Sequence, residues 1–430
     1  MAIALRDELL AAMEDIRTVD CHSHTVSREQ YYQAAPLSIF TLSSYFFRDI
    51  ESVTGMAPAT LYADCKTDQQ RWQRLRGVLA QARNVSYWRH NIVAFQALFG
   101  LEDDDLTDDN WRAVNEAMAK RSVDPGWYDH VTEGVCNLRT QVRNVPWFED
   151  WEPRYFTAVL RMEAALELWR PEARGRLEEH LGCEISDLTS CMRAIGALVE
   201  QYRERGAVGI KLAHAYRRTL HTERVSAVAA SVIFERALRG ERLSAAQIKQ
   251  FEDYVIFFLA DLCAQTGLIF DLHTGVQSNW GRVPESDPLL LLPLIHAHRS
   301  TRFNLYHAGY PYSREMGMLG KHCPNVWLNM AWMYVITMEG SRQSLSEWID
   351  LVPGFRILGF GSDVGWPELI WAHLLMARSC IADVLEEKVR RDFLSRAAAL
   401  DLARMMMRDN GVEFYGLDGC AAHRLERRGH

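Results

Sequence analysis

Five short runs constrain the fold most: VGIKL at 208–212, LIFDL at 268–272, FNLY at 303–306, VWLNM at 326–330 and ILGF at 357–360. They are apolar on nearly successive residues, the pattern of strands covered on both faces, as strands of a parallel sheet are. Longer charged stretches with a 3.6-residue period separate them, predicting helices over Leu188–Arg205, Ala245–Gln265, Pro288–His298 and Trp371–Glu387. Eight strands are expected in all: Arg17–His24, Val131–Leu138, Tyr155–Arg161, Ala207–Ala213, Gly267–His273, Arg302–His307, Asn325–Met330 and Arg356–Gly361. A chain of 430 residues exceeds the roughly 250 that a (β/α)8 barrel needs. The expected architecture is therefore α/β, a (β/α)8 TIM barrel with a large helical insertion after strand 1.

The insertion is placed between Thr25 and about His130, where helical patterns recur at Gln69–Ala82, Tyr87–Leu98 and Asp109–Lys120. It is rich in aromatics, among them Tyr45, Phe46, Phe47, Trp72, Trp88 and Trp111. The organisation read from the chain is residues 1–25 for an amphipathic N-terminal helix and strand 1, and 26–130 for the insertion over the barrel mouth. Residues 131–417 follow as the rest of the barrel, with 418–430 as a flexible tail. An independent helical domain upstream is disfavoured, because strand 1 would then lie outside the barrel.

The formal net charge of −8 argues against a nucleic-acid binder. No stretch of eighteen apolar residues suggests a membrane span. Nine cysteines, an odd number without CxxC spacing, point to reduced thiols and a cytoplasmic location rather than to a cysteine zinc cluster. A small-molecule substrate is expected, and a homo-oligomer.

The chemistry begins with Val-Asp-Cys-His22-Ser-His24 at the end of strand 1. Residues two apart on a strand share a face, so both imidazoles point the same way, and imidazole is a common metal ligand. Lys211, His273, His307 and Asp363 stand at the ends of other strands, and the carboxyl ends of barrel strands are where TIM-barrel chemistry occurs. Each has a bland alternative: hydrogen-bonded core histidines, a snorkelling lysine, an aspartate that caps a helix. Their joint arrival at strand ends favours a metal site.

This ordered set, HxH after strand 1, Lys on strand 4, His on strands 5 and 6 and Asp on strand 8, resembles the amidohydrolase superfamily over about 17–416. The resemblance implies a barrel with one or two divalent metals per chain, usually Zn2+. His22, His24 and Asp363 then match metal ligands, with His273 a ligand in most members. His307 would bind a second metal or face the substrate, and Lys211 would bridge two metals if carboxylated; one metal is preferred. The insertion and the HTG sequence after strand 5 are similar to uronate isomerases, but His307 departs from their pattern, and that departure favours hydrolysis.

The function expected is metal-dependent hydrolysis of a C–N or C–O bond (amide, lactone or ester) in a small carboxylate-bearing molecule. A metal can lower the pKa of its water from about 15.7 to about 7. Asp363 is the expected base and His307 the expected donor to the developing oxyanion. Arg161, Tyr216, Arg217, Tyr310 and Arg314 are expected to bind substrate, arginine forks being suited to carboxylates. Trp280, Trp332, Trp366 and Tyr334 could wall the pocket. The alternatives are an isomerase like the uronate isomerases, a metal-dependent decarboxylase, and a non-catalytic ligand-binding barrel.

Overall fold

The structure is a computed structural model that describes residues 4–279 and 281–418. Trp280 and the greater part of the expected tail, Gly419–His430, lie outside the described residues. Eight strands form one sheet in the order β1 to β8: β1 (Thr18–Ser23), β2 (Leu138–Val145), β3 (Phe156–Arg161), β4 (Gly209–Leu212), β5 (Ile269–Leu272), β6 (Arg302–Leu305), β7 (Val326–Asn329) and β8 (Ile357–Leu358). From β2 to β8 each strand pairs in parallel with the next. Strands alternating with helices in this order are those of a (β/α)8 barrel. The 24–137 interval is helical throughout its longer elements, so the large insertion follows strand 1 as expected.

The helices form where expected. Ser244 caps Ala245–Thr266 in a reciprocal capping box with Gln247, and Gly267 ends that helix at φ 75°. The second strand is a correction. Residues 130–135 form a π-helical turn that packs on the helix Pro367–Arg390, and β2 begins only at Leu138. Arg139, Gln141, Arg143 and Asn144 interrupt the apolar run of the true strand. Arg143 is nonetheless only 6% exposed, its guanidinium carbon 5.1 Å from the Phe156 ring centroid. A charged head carried over an aromatic face erases the apolar signature without leaving the core.

Chain contacts divide the described residues into two compact units. The first comprises those up to Arg139 with Trp332–Ser346 and Phe360–Arg404, and the second Thr140–Ala331 and Glu347–Gly359 with those from Met405 onward. In the first, the helix Leu5–Glu14 buries Leu9 and Met13, one turn apart, against Pro367–Arg390. The insertion helix Ser86–Phe99 packs on the same long helix. Trp72 stacks on Trp111 at 5.4 Å, and the Trp72 and Trp88 indoles donate to Asp108 and Asp105. In the second unit, β4 approaches β5 so closely that a Cβ on Gly209 would lie 2.7 Å from the Ile269 carbonyl oxygen. No helix of the described residues is long and apolar enough to cross a membrane. The described cysteines are all free thiols.

Two expectations follow. Gly209→Ala should lower unfolding stability by about 2–3 kcal/mol, because backbone must move to admit the methyl group. Gly175→Ala, in a helix with nothing within 4 Å of its new Cβ, should instead add about 0.5–1 kcal/mol in the same urea titration. His90, buried with Nε2 on the Leu369 carbonyl at 2.8 Å, is driven down to about 4, mainly by burial. A histidine pKa below its unfolded value means the unfolded chain binds more protons between pH 6.5 and 4, so stability falls as pH falls through that window. The loss from this group is about 3 kcal/mol. His90→Gln keeps a donor to Leu369 without titrating, and acid unfolding of the variant should show a correspondingly shallower slope.

Candidate metal centre and buried strand-end residues

Asp20 and His22 lie two apart on β1, and His24 follows its last residue on the same face. The loop after β8 returns Asp363 to them. Its Oδ1 is 3.3 Å from Nε2 of His22 and 3.3 Å from Nε2 of His24. The two rings sit 4.9 Å apart at 76°. One ligand atom from each residue lies within 4.8 Å of the others, so two imidazole nitrogens and a carboxylate oxygen converge on one point. That donor set fits a divalent cation of the zinc type, with room left in its coordination for water or substrate. His22 is sealed at 1% side-chain exposure, whereas His24 is 38% exposed and gives the triad an open side.

The triad is held from beneath. The Asp363 amide donates to the His22 carbonyl at 2.9 Å, and Tyr45 Oη donates to the Asp363 carbonyl at 2.6 Å. Asp363 itself has φ 52°, a left-handed conformation that aspartate tolerates better than most residues. Asp20 accepts from the Ser362 amide at 2.7 Å and from its hydroxyl at 2.5 Å. Burial raises the Asp20 carboxyl to about 7 against the pull of those hydrogen bonds. The Ser362 carbonyl accepts from His373 Nδ1 at 2.9 Å, and His373 is kept neutral by burial and by His90 beside it.

The second unit gathers the other expected residues differently. Lys211, Asp271 and Asn304 are register partners on β4, β5 and β6. Asp271 accepts from Tyr306 Oη at 2.6 Å and from Asn304 Nδ2 at 2.8 Å. The Lys211 ammonium lies 3.3 Å from the Tyr306 ring centroid. Burial raises the Asp271 carboxyl to about 6, with the Tyr306 bond and the Lys211 charge opposing. These surroundings suit a lysine cation. A carboxylated lysine would place a second negative charge beside Asp271.

His273 and His307 form a bonded pair. His307 Nε2 is 2.9 Å from His273 Nδ1, His273 Nε2 is 2.8 Å from the Val276 carbonyl, and His307 Nδ1 is 3.1 Å from the Ala331 carbonyl. Carbonyls only accept, so both outer nitrogens donate, and the central bond requires a third proton. The loops around it are clasped: Gln277 Nε2 donates to the Ala215 carbonyl, Ser278 N to Tyr216 Oη, and Val276 N to the Tyr310 carbonyl. Gly275, at φ 67°, is packed so closely on Gly309 and Tyr310 that any Cβ would collide with their backbone.

Of the expected substrate residues, Tyr216 belongs to this group, its ring 4.8 Å from that of His273. The arginines do not present free forks. Arg161 binds Glu163 at 3.3 Å, Arg217 binds Glu167, and Arg314, 81% exposed, grips Glu347 at 2.7 Å. Their acidic partners lie on the turn Glu163–Glu167 and on the helix Met338–Leu351. Sequence reasoning also missed Asp20, Asp271, Asn304 and Tyr306. Asp20 and Asp271 each stand two residues before a noticed histidine, so the two-residue period could have found them, whereas Asn304 and Tyr306 are at odd separations from His307 and gave no such signal.

A family model described as "Amidohydrolase" matches residues 19–417. A uronate isomerase from Nostoc punctiforme is 26% identical over 58% of this chain, and the match spans about half, 56%, of that relative's length. Among solved structures, a uronate isomerase from Thermotoga maritima superposes with a TM-score of 0.78 at 14% identity, covering 96% of this chain and 97% of the other. The glucuronate isomerase from Caulobacter crescentus does so at 0.77 and 18% identity, covering 96% and 94%. These findings overturn the expectation of hydrolysis. A set of metal ligands at strand ends does not decide which bond changes, and the single departure at His307 was given more weight than it can carry. Matched by that model from the first barrel strand to the last described helix, the chain belongs to the amidohydrolase family.

Proposed function

We propose that the chain is a metal-dependent isomerase of a small sugar acid, moving a carbonyl between adjacent carbons as an aldose–ketose isomerase does. The observation that carries this reading is the sequence similarity to uronate isomerases, 26% over 269 residues with the Nostoc punctiforme protein and 25% over 203 with one from Sphingopyxis alaskensis. The triad supports it, because His22, His24 and Asp363 are a donor set for one divalent cation. Bound there, a cation such as Zn2+ supplies Lewis-acid polarisation of substrate oxygens.

The remaining roles belong to the chain. Isomerisation removes a proton from a hydroxyl-bearing carbon and returns one to its neighbour, which calls for a base close to the reacting atoms. Asp363 is assigned that role, since its main chain is fixed by the bonds to His22 and Tyr45 and its carboxylate faces both imidazoles. His273 and His307 are assigned to proton handling rather than to a metal, because their facing nitrogens are bonded to each other. Lys211 is assigned a structural charge beside Asp271, in keeping with one metal per chain. Tyr216 and Tyr310 are retained as substrate contacts. The free thiols support a reducing compartment, the cytoplasm.

Chelated protein reloaded with Zn2+, Mn2+ or Co2+ should convert a hexuronate such as D-glucuronate to its ketose without taking up water or releasing carbon dioxide. Asp363→Asn should lower kcat by about 10²–10⁴-fold, the span of a lost general base. His22→Ala should lose the cation, measured by elemental analysis. Metal-loaded protein that leaves every hexuronate of a panel unchanged would remove this function.

A further inference from the structure

The helix Pro367–Arg390 carries a group that the metal chemistry does not use. Arg378 is only 3% exposed. Its Nε, Nη1 and Nη2 are all buried, and none has a hydrogen-bond partner among the described residues. The ring of Trp371 lies 5.4 Å from its guanidinium carbon, a contact with an aromatic face and not with an acceptor. Arg174, comparably buried in the second unit, spends Nη1 on the Leu168 and Trp169 carbonyls at 3.1 and 3.0 Å. Arg378 has no such carbonyls.

A guanidinium presents five N–H donors and stays protonated at any working pH. Burying such a charge without a counter-charge costs more than most single interactions contribute. The groups that feel its charge do not resolve this. Glu14 is an exposed residue, and the Cys136 thiol is pushed well above its ordinary range by burial, so it stays a neutral S–H. Among the described residues no oxygen is hydrogen-bonded to Arg378; Glu14 acts on it only from an exposed position, and the buried carboxyls of Asp20 and Glu368 act on Cys136. A buried cation whose three nitrogens are all unbonded calls for a ligand that accepts hydrogen bonds, carries one negative charge and is small.

We infer that Arg378, with Cys136 and Trp371 beside it, forms a buried binding site for a small inorganic anion of the halide class, most naturally chloride. The site belongs to the first unit, where Pro367–Arg390 meets the helix Leu5–Glu14 and the turn at 130–135. The anion is a structural ligand there, joining those elements by neutralising the charge between them.

Thermal unfolding of the full chain tests this at constant ionic strength, with sodium chloride replacing sodium methanesulfonate from 0 to about 150 mM. Wild type should gain roughly 2–4 °C in Tm along a saturating curve, since a ligand of the folded state alone stabilises by mass action. Bromide should act likewise, and Arg378→Met, apolar and of similar length, should lose the response. An unchanged Tm in wild type, or the same saturable gain in Arg378→Met, overturns the site. Should the variant not fold, wild-type crystals soaked in bromide decide: an anomalous peak beside Arg378 is expected, and its absence overturns the site equally.

Discussion

A polar side chain sealed inside a parallel sheet is tolerated only if the neighbouring strand brings a partner to the same height, and that requirement organises the interior of this protein. Lys211, Asp271 and Asn304 stand in register on β4, β5 and β6. Asp271 takes donors from Asn304 and Tyr306, and Asn304 Nδ2 also reaches Tyr415 Oη at 2.9 Å. Any one of these groups alone would carry a desolvation penalty of several kcal/mol; the bonds that Asp271 accepts from Asn304 and Tyr306 offset part of it. The layer also fixes how each strand is rotated about its own axis. A slip of one residue would turn Asp271 out of the sheet interior and His273 with it. In the first unit Asp20, bonded to Ser362, fixes His22 in the same way.

This coupling explains what could be read from the sequence. Strands with fully apolar centres and the HxH pair are local patterns, and they were legible. Strand β2 was not, because its apolar face is disguised by Arg143 and its neighbours. The proximity of Asp363 to His22 and His24 could be anticipated from order along the barrel. The bond between His273 and His307 could not, since it depends on His307 adopting φ 64° just past β6. The pairings of the arginines were hidden for a related reason. Arg161 and Glu163 are two residues apart, and only the turn at Met162 makes each the other's partner.

The step from site to reaction was the least determined by the residues. Two imidazoles and a carboxylate around a cation activate a water or polarise a carbonyl with equal ease. Whether water adds or a proton moves between carbons depends on what the surrounding loops hold against that cation. Ligand identity therefore argues for the family and not for the bond. Similarity over 58% of the chain to a protein named for isomerisation discriminates better than a single additional histidine does.

The backbone at the strand ends shows where the fold accepts strain to make such a site. His307, Ala308, Trp332 and Asp363 all have positive φ, and none is glycine. Such conformations cost on the order of 1–3 kcal/mol each and persist only where surrounding bonds over-determine them. Here those bonds are visible: Asp363 N to the His22 carbonyl at 2.9 Å, Trp332 N to the Gly361 carbonyl at 3.0 Å, and His307 Nδ1 to the Ala331 carbonyl at 3.1 Å. A strand that ended in relaxed geometry would carry its last side chain along its own axis alternation, up or down. Bending the chain through the left-handed region instead lets a residue leave that alternation, which is how Asp363, five residues past β8, comes back to meet His22 on β1 and His24 just beyond it.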